Sequence, residues 1–227
     1  MNRHWQVTAR RARTKGCAAY DPRMTLLLIR HGETALNVTR VLQPADTPLS
    51  ARGIAQAEAL ASRLASMNVE IIVSSDLPRA LRTAQAIAAA TGAPIETTPL
   101  LQERNFGDWR GRPYDGMAID PLTMQEAPPG GESAADFERR VARAFVHVVQ
   151  RQAETGQRLA VVTHGMLLRV LLGAHVRLPE GVALPSHFGN TCLSIVDARA
   201  PHAASLVNCT AHLHSSTHDD AHALSGG

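Results

Sequence analysis

The chain has 227 residues, 44% of them hydrophobic, and a formal net charge of +3 at pH 7. That length suits one large domain or two small ones, and the hydrophobic fraction is enough for a sizeable core. No run approaches the roughly 18 consecutive apolar residues that a membrane-spanning helix requires, so the sequence excludes helical membrane proteins.

The first 23 residues form a basic segment that precedes any strand-like or helical pattern. A nucleic-acid contact, a membrane contact and a transit peptide each fit such an arginine-rich, acid-poor composition. We favour a disordered extension, or a true initiator at Met24, because Met24 leads directly into the first apolar run. We therefore expect no nucleic-acid and no membrane partner. The basic residues are Arg3, Arg10, Arg11, Arg13 and Lys15.

The first half of the chain alternates short apolar runs with amphipathic stretches. Residues 25–30 predict a strand that is buried on both faces. Apolar residues three and four apart then predict a helix over 50–68, with Ser50 as its N-cap. The other elements of this half are a strand over 69–76, a helix from Pro78 to its stop at Gly92, and a short strand over 93–98.

A long irregular segment separates the two halves. Residues 104–131 contain many glycines and prolines, a composition typical of functional or mobile loops. The remaining predicted elements are a helix over 132–156, a strand over 158–165, a short helix over 166–175, and closing strands over 191–198 and 204–209 at the edge of the sheet.

The alternation of strands and helices predicts an α/β fold, a three-layer α/β/α sandwich with a mainly parallel central sheet. In such sheets, ligands bind at the carboxyl ends of the strands. If the strands are neighbours, two imidazoles and two guanidinium groups converge there, and Glu103 reaches the same rim from a loop. The polar strand ends are Arg30-His31-Gly32-Glu33, Ser74-Ser75-Asp76 followed by Arg79, and Thr163-His164-Gly165.

This combination of side chains favours phosphate chemistry. Arginine binds phosphate oxygens in bidentate fashion and stays charged at any working pH. A histidine among such cations is biased towards its neutral, nucleophilic form, because like charges disfavour a second proton. A carboxylic acid in a partly closed loop can then protonate the leaving oxygen.

Each of these residues also has a purely structural alternative. His31 alone fits a buried histidine that is bonded to the backbone, and Glu103 alone fits an ordinary solvated acid. Arg82 competes with Arg79 as the cation of the site, and a histidine before a glycine, as at His164, fits turn chemistry. The functional interpretation is favoured because these residues all fall where the strand ends are predicted to converge.

Four stretches of the chain, in order, resemble the motifs of the histidine phosphatase superfamily, also called the phosphoglycerate mutase-like family. The similarity covers about residues 24–198 and implies a phosphoglycerate mutase-like fold. An RHG triplet alone is a weak signal, whereas four motifs in the expected order are a strong one. The stretches are LLLIRHGETALN from residue 26, SSDLPRALRTA from 74, LLQERNFGDWRG from 100 and VVTHG from 161.

The resemblance implies a role for each matched residue. His31 would be the nucleophile that forms a phosphohistidine, and Glu103 would protonate the leaving oxygen and then activate water. The family arginine precedes an alanine, which selects Arg79 over Arg82. Because arginines neutralise the phosphate, the resemblance implies no metal and no other cofactor. The residues that would hold the phosphoryl group are Arg30, Asn37, Arg79 and His164.

Two positions depart from the pattern of the family. Pro44 stands where many relatives have a glycine, and it removes a backbone N–H that could bind substrate. Arg110 stands where phosphatase relatives commonly have a glutamate, so it either favours a more anionic substrate or simply faces water. Further possible substrate contacts are Gln43, Arg104, Trp109 and Tyr114.

We therefore expect a phosphomonoesterase of small phosphorylated metabolites, of the cobalamin-pathway or broad-specificity type. The short stretch between Glu103 and His164 favours this activity, because cofactor-dependent mutases carry a longer insertion there that shields the pocket from water. A 2,3-bisphosphoglycerate-dependent phosphoglycerate mutase is the alternative. A non-catalytic phosphate-binding module is disfavoured, since all the key residues are present.

The expected domain organisation is an extension over 1–23, a histidine phosphatase domain over 24–210 and a disordered, histidine-rich tail over 211–227. Histidines in the tail could bind metal adventitiously, but a solvated tail is favoured. The cysteines show no metal, redox or disulfide spacing, so we expect no metal site and a reducing cytoplasm as the location. A homodimer is one assembly that the sequence leaves open. The cysteines are Cys17, Cys192 and Cys209.

Overall fold

A computed structural model describes residues 24–115, 117 and 120–213 of the chain. The expected extension over 1–23 and the tail from residue 214 onward lie outside the described residues. The strands are β1 (Thr25–Arg30), β2 (Ile71–Ser74), β3 (Ile95–Thr97), β4 (Leu159–Thr163), β5 (Leu193–Asp197) and β6 (Ala204–Cys209). The α-helices are α1 (Ala35–Val38), α2 (Ala51–Leu64), α3 (Pro78–Thr91), α4 (Ala134–Thr155) and α5 (Gly165–His175).

The six strands form one sheet in the order β3-β2-β4-β1-β5-β6. The first four strands of this order run parallel to one another, while β5 runs antiparallel to β1 and β6 antiparallel to β5. The prediction of a mainly parallel sheet is therefore confirmed. Every residue of β1, β2 and β4 is buried, which explains why these strands read as continuous apolar runs.

Helices cover both faces of the sheet, and alternate residues of β1 point to opposite layers. Leu26 and Leu28 belong to a cluster that includes apolar residues of α4 and α5. Leu27 and Ile29 belong to a second cluster that includes residues of α2 and α3. The three-layer α/β/α sandwich predicted from the sequence is thus confirmed, and its core consists of these two apolar layers.

Local signals in the sequence set where several helices begin and end. The Ser50 hydroxyl accepts a hydrogen bond from Gly53 N at 3.0 Å and caps α2 as predicted. Pro78 occupies the first turn of α3, and Gly92 ends that helix with a φ of 75°. The helix predicted over 50–68 ends earlier, at Leu64, because the chain tightens into a turn there.

Two expectations about the C-terminal part are corrected. Of the two closing strands, only β6 lies at an edge of the sheet, because β5 is inserted between β1 and β6. Residues 211–213, assigned to the tail from the sequence, form a short 3-10 helix that packs on the domain. Leu213 is only 1% exposed there, and the His212 ring lies 3.0 Å from the Thr191 hydroxyl. The burial of this leucine explains why ordered structure continues past residue 210.

The loop after β1 packs backbone to backbone on the first turn of α2. A Cβ atom on Gly53 would lie 2.0 Å from Glu33 O, and one on Gly32 would lie 2.4 Å from Gly53 O. Ser50 N also donates to Glu33 O at 2.9 Å. Glycine is required at both positions because the two backbones leave no room for a side chain.

We expect Gly53→Ala to lower the free energy of unfolding by about 1–3 kcal/mol, the usual cost of forcing a methyl group into a packed site. Alanine normally stabilises a helix relative to glycine, so the sign of the change is diagnostic. Urea denaturation measures it. Gly173→Ala in α5 is the matched control, because its methyl would meet only the end of the Leu184 side chain, at 3.1 Å. A Gly53→Ala protein as stable as the wild type would contradict the close contact.

Candidate active site

Two histidines lie side by side at the carboxyl edge of the sheet, where β1 and β4 end. Arg30 pairs with Thr163 in the parallel ladder, and His31 N donates to Thr163 O at 2.9 Å. This register brings the next residue of each strand together. The His31 and His164 rings have centroids 5.1 Å apart and planes tilted by 59°, and both residues are fully buried.

The backbone next to His31 fixes which ring nitrogen carries the proton. Nδ1 lies 2.6 Å from Gly32 O, and a carbonyl oxygen can only accept a hydrogen bond. Nδ1 is therefore the protonated nitrogen of the neutral ring, and Nε2 keeps its lone pair. Nε2 is buried and has no hydrogen-bond partner among the described residues. The ring thus presents an unengaged, potentially nucleophilic nitrogen.

Burial and charge both keep the His31 ring neutral. Burial lowers its pKa well below the ordinary value of 6.5, and the positive charges of Arg79 and Arg30 lower it further. The hydrogen bond to Gly32 O acts in the opposite direction but is the smallest contribution. A neutral imidazole beside two cations is therefore the resting state of this site near pH 7.

His164 is held in place by the end of a third strand, β2. Its Nε2 lies 2.9 Å from the Ser75 hydroxyl, and Ser75 N in turn donates to Val162 O in β4 at 2.9 Å. The His164 Nδ1 atom is buried without a partner in the described part of the chain. Burial, followed by the charge of Arg79, lowers the pKa of His164 well below its usual value.

Two buried guanidinium groups flank the histidines, and backbone carbonyls anchor both. Arg30 donates from Nη1 to Phe188 O. Arg79, in the first turn of α3, donates from Nη1 to Pro44 O at 3.3 Å and Ala45 O at 3.5 Å. Burial lowers the pKa of Arg79 to about 10, so the group remains charged at neutral pH.

The structure separates the two arginines that competed for one role. Arg79 is 1% exposed, whereas Arg82 lies on the exposed side of the same helix. Pro44 also acquires a function in this arrangement, because its carbonyl oxygen accepts the hydrogen bond from Arg79. The proline that interrupts the family pattern therefore lies against the cationic site, although it has no N–H to offer.

Glu103 lies at the N-terminus of α5, where its carboxylate accepts two backbone hydrogen bonds. Oε1 accepts from Arg104 N and Oε2 from Met166 N, both at 3.0 Å. Burial raises the pKa of this carboxyl above its usual value, although the two N–H groups and the charges of Arg79 and Arg30 oppose that shift. The carboxyl group of Glu103 therefore holds its proton more readily than an ordinary glutamate does.

Two buried side-chain amides leave their NH₂ groups available. Asn37 closes a capping box at the start of α1, where its Oδ1 accepts from Thr34 N at 3.1 Å. Gln43 Oε1 accepts from the Thr34 hydroxyl at 3.0 Å. Within the described ranges, Asn37 Nδ2 and Gln43 Nε2 have no acceptor. Both amides are therefore suited to donate to the oxygens of a bound anion.

Arg104 was expected as a possible substrate contact, but the structure gives its guanidinium a different set of partners. It donates to Met124 O at 2.8 Å, to Glu126 O at 3.3 Å and twice to Glu132 O at 3.2 Å. Four of its five N–H groups thus bind loop carbonyls. Arg104 joins the loop that carries Glu103 to the segment before α4, rather than offering its charge to the pocket.

The irregular segment contributes a buried phenol near these groups. Tyr114 is 8% exposed, and its hydroxyl has no hydrogen-bond partner among the residues that the structure describes. Burial, and then the negative charge of Glu103, raise its pKa. Trp109 packs against the apolar cluster that includes Tyr114. Arg110 is half-buried, and its charge helps to lower the pKa of Arg79, so it lies near the cations.

Part of the site comes from residues 187–191, which the sequence did not single out. This segment precedes the antiparallel strand β5 and so arrives at the carboxyl edge of β1. Asn190 Nδ2 and Thr191 N each donate to His31 O at 3.2 Å. His187 is half-buried near Arg30, and burial followed by this charge lowers its pKa to about 4. The only local signal was a Gly-Asn pair, which is typical of turns.

Neither a metal cluster nor a membrane span is found in the described ranges. No group of three or more histidine, cysteine, aspartate or glutamate side chains is arranged to hold a metal ion there. No described helix is both long enough and apolar enough to cross a membrane.

We expect nuclear magnetic resonance of ¹⁵N-labelled imidazoles to find His31 neutral at pH 6.5, with the proton on Nδ1. An ordinary histidine would be half protonated there, whereas burial and two arginines lower the pKa of His31 well below that pH. The titration is run without phosphate, and a His31→Gln sample assigns the resonances. A midpoint near 6.5, or a proton on Nε2, would contradict the site described above.

Comparison with known proteins identifies the family of the chain. A model of the histidine phosphatase superfamily (branch 1) matches residues 26–209. The probable phosphoglycerate mutase GpmB of Yersinia enterocolitica is 34% identical over 184 residues, which cover 77% of this chain and 85% of that protein. Bacillus stearothermophilus YhfR has a TM-score of 0.71 at 30% identity, covering 83% and 98% of the two chains. A mycobacterial glucosyl-3-phosphoglycerate phosphatase, solved with VO3, has a TM-score of 0.66 at 29% identity, covering 81% and 97%. The chain therefore belongs to branch 1 of the histidine phosphatase superfamily.

Proposed function

We propose that this protein is a phosphomonoesterase that hydrolyses small phosphorylated metabolites through a phosphohistidine on His31. The observation that carries the proposal is the unengaged Nε2 lone pair of His31, held neutral between Arg30 and Arg79. The same arrangement provides a nucleophile and a cationic binding site for the phosphoryl group. A non-catalytic phosphate-binding module would not require the Nε2 lone pair to be free.

In the first half-reaction, the lone pair of His31 Nε2 forms a bond to phosphorus while the bond from phosphorus to the ester oxygen breaks. Glu103 gives its proton to that oxygen, which leaves as an alcohol. Arg30, Arg79 and His164 bind the equatorial oxygens and offset the charge of the transferring group. The Asn37 amide donates to the same group. The raised pKa of Glu103 supports this role, since the acid must be protonated when it acts.

In the second half-reaction, water attacks phosphorus from the side that the alcohol has left. The Glu103 carboxylate takes a proton from the water, and the bond between phosphorus and Nε2 breaks. The products are inorganic phosphate and a regenerated neutral His31. One carboxyl group thus serves as acid and then as base, and no metal enters either step of the proposal.

Phosphate transfer to water is favoured over transfer to a second substrate by the length of the chain between Glu103 and His164. Between these two residues, the described elements are a short 3-10 helix at Gly107–Trp109, the α-helix α4 and the strand β4, so the stretch holds no second described α-helix. A 2,3-bisphosphoglycerate-dependent phosphoglycerate mutase is the second candidate. It is supported by the Yersinia relative, which is named a probable phosphoglycerate mutase.

The position of Arg110 favours substrates with an additional negative charge. It is half-buried near Arg79 and has no ion pair or hydrogen bond from its side chain to the described residues. A carboxylate or second phosphate on the leaving group could bind there without displacing an existing partner. A phosphorylated metabolite with such a group is therefore the preferred substrate class.

We expect His31→Ala to lower kcat by about 10³-fold or more, because the variant has no nucleophile to form the covalent intermediate. The readout is phosphate release, together with ³¹P detection of acid-labile phosphohistidine after a denaturing quench. His147→Ala, a substitution of a half-buried histidine in α4, is the matched control and keeps both signals. A folded His31→Ala protein that still turns over substrate would contradict the mechanism.

A second experiment separates the two candidate reactions. The proposed phosphatase releases inorganic phosphate from p-nitrophenyl phosphate without any primer, because water completes its cycle. A mutase instead converts 3-phosphoglycerate to 2-phosphoglycerate only after priming with 2,3-bisphosphoglycerate. Primer-dependent isomerisation that is faster than phosphate release would overturn the phosphatase assignment in favour of the mutase.

A further inference from the structure

The backbone that carries Glu103 is held by side chains from outside the loop. Four consecutive carbonyl oxygens, from residue 100 to residue 103, each accept a hydrogen bond from Arg140 or Thr163. Arg140 donates to Leu100 O at 3.0 Å, Gln102 O at 2.7 Å and Glu103 O at 3.1 Å. The Thr163 hydroxyl donates to the carbonyl oxygen between the first two of these, at 2.7 Å. Carbonyls in a buried loop need such donors, because neither a helix nor a sheet supplies them.

Arg140 uses its whole guanidinium group in this arrangement. Besides the three carbonyls, Nε donates to Glu132 Oε1 at 2.8 Å and Nη2 to Glu132 Oε2 at 2.7 Å. These five hydrogen bonds match the five N–H groups of an arginine side chain. The bidentate ion pair with Glu132 fixes the plane of the guanidinium, and that plane directs the remaining N–H groups at the loop.

Glu132 extends the connection to the other side of the acid. Its Oε2 accepts from Asn105 N at 2.9 Å. Burial acts to raise the pKa of Glu132, but the hydrogen bonds from Arg140 and Asn105 N lower it overall, so this carboxylate stays charged. The residues before and after Glu103 are therefore both fixed to one half-buried ion pair.

We propose that Arg140 is the positioning residue for the general acid Glu103, acting through the backbone on either side of it. This inference rests on the proposed function, in which Glu103 protonates the leaving oxygen. Arg140 is not a substrate contact, because its five N–H groups already have protein acceptors and its side chain is only 16% exposed. Its contribution is to hold the Glu103 carboxyl where the ester oxygen arrives.

The leaving group of the substrate provides a readout that distinguishes positioning from mere stability. An alkyl phosphate expels a strongly basic alkoxide and depends on the acid, whereas p-nitrophenyl phosphate expels a weakly basic phenolate and needs it little. We expect Arg140→Met to lower kcat/KM for an alkyl phosphate by about 10- to 100-fold, the effect of a displacement of about 1 Å. The change with p-nitrophenyl phosphate stays within about 3-fold, since the nucleophile and the cations are intact.

Two reference variants define the expected pattern. Glu103→Gln removes the acid itself and shows the same selective loss with the alkyl phosphate. In the Glu103→Gln background, adding Arg140→Met has no further effect on kcat/KM, because the two residues act as one unit. Arg139→Met is the matched control, since Arg139 is the adjacent residue of α4, is 69% exposed and pairs only with Asp136 in the described structure. The kcat/KM values of Arg139→Met for both substrates equal those of the wild type.

Thermal unfolding confirms that each variant is folded at the assay temperature. If Arg140→Met is unfolded there, Arg140→Lys is measured instead. A lysine has three N–H donors and can replace only some of the five hydrogen bonds, so it shows a smaller loss with the same selectivity.

Two outcomes would overturn the inference while leaving the proposed function intact. In the first, kcat/KM of the folded Arg140 variant falls by the same factor for both substrates. In the second, the loss of kcat/KM caused by Arg140→Met adds fully to the loss caused by Glu103→Gln. Failure of the proposed function looks different. In that case the wild type forms no phosphohistidine, or Glu103→Gln itself shows no dependence on the leaving group.

Discussion

The arrangement of the site depends on one electrostatic constraint, the presence of two guanidinium charges beside two neutral imidazoles in a buried volume. Burial alone would disfavour charge on all four groups, and the protein resolves this by anchoring each arginine to backbone carbonyls. The arginines stay charged, and the histidines become the groups that give up protons. A histidine that cannot be protonated easily is available as a nucleophile without a separate base to activate it. In the proposed mechanism, the two arginine charges therefore set both the affinity for phosphate and the reactivity of the His31 ring.

The sheet makes this constraint possible because strand register fixes the positions of its polar ends. The sequence allowed the parallel sheet, the three layers and the meeting of His31 with His164 to be predicted, since these follow from local apolar runs and the rule for strand ends. Buried and exposed arginines are not distinguished by composition. The choice of Arg79 over Arg82 came from the motif, and the structure explains it through the face of α3 that each residue occupies.

The features of the site that could not be predicted from the sequence depend on contacts between residues that are distant along the chain. Arg104 drew attention because it is adjacent to Glu103, yet its side chain binds loop carbonyls. Arg140, 37 positions after Glu103, binds the backbone of the acid itself. No periodicity or spacing marks such a pair, because loop carbonyls are satisfied by whichever side chain the fold brings near. The hydrogen bond from Met166 N to Glu103 could not be predicted either, because the sequence does not show that α5 begins beside the loop that contains Glu103.

The antiparallel direction of β5 determines which loop beside the site can change without altering the parallel strands. A parallel strand delivers the loop that follows it to the carboxyl edge of the sheet, and in this sheet those loops carry the groups that are proposed to react. An antiparallel neighbour of β1 instead delivers the loop that precedes it, here residues 187–191. That loop touches Arg30 and the His31 backbone, but it belongs to no crossover connection between parallel strands. Its length and composition can therefore change without disturbing the parallel framework, so this loop can reshape the pocket wall independently of the strand that carries the proposed nucleophile.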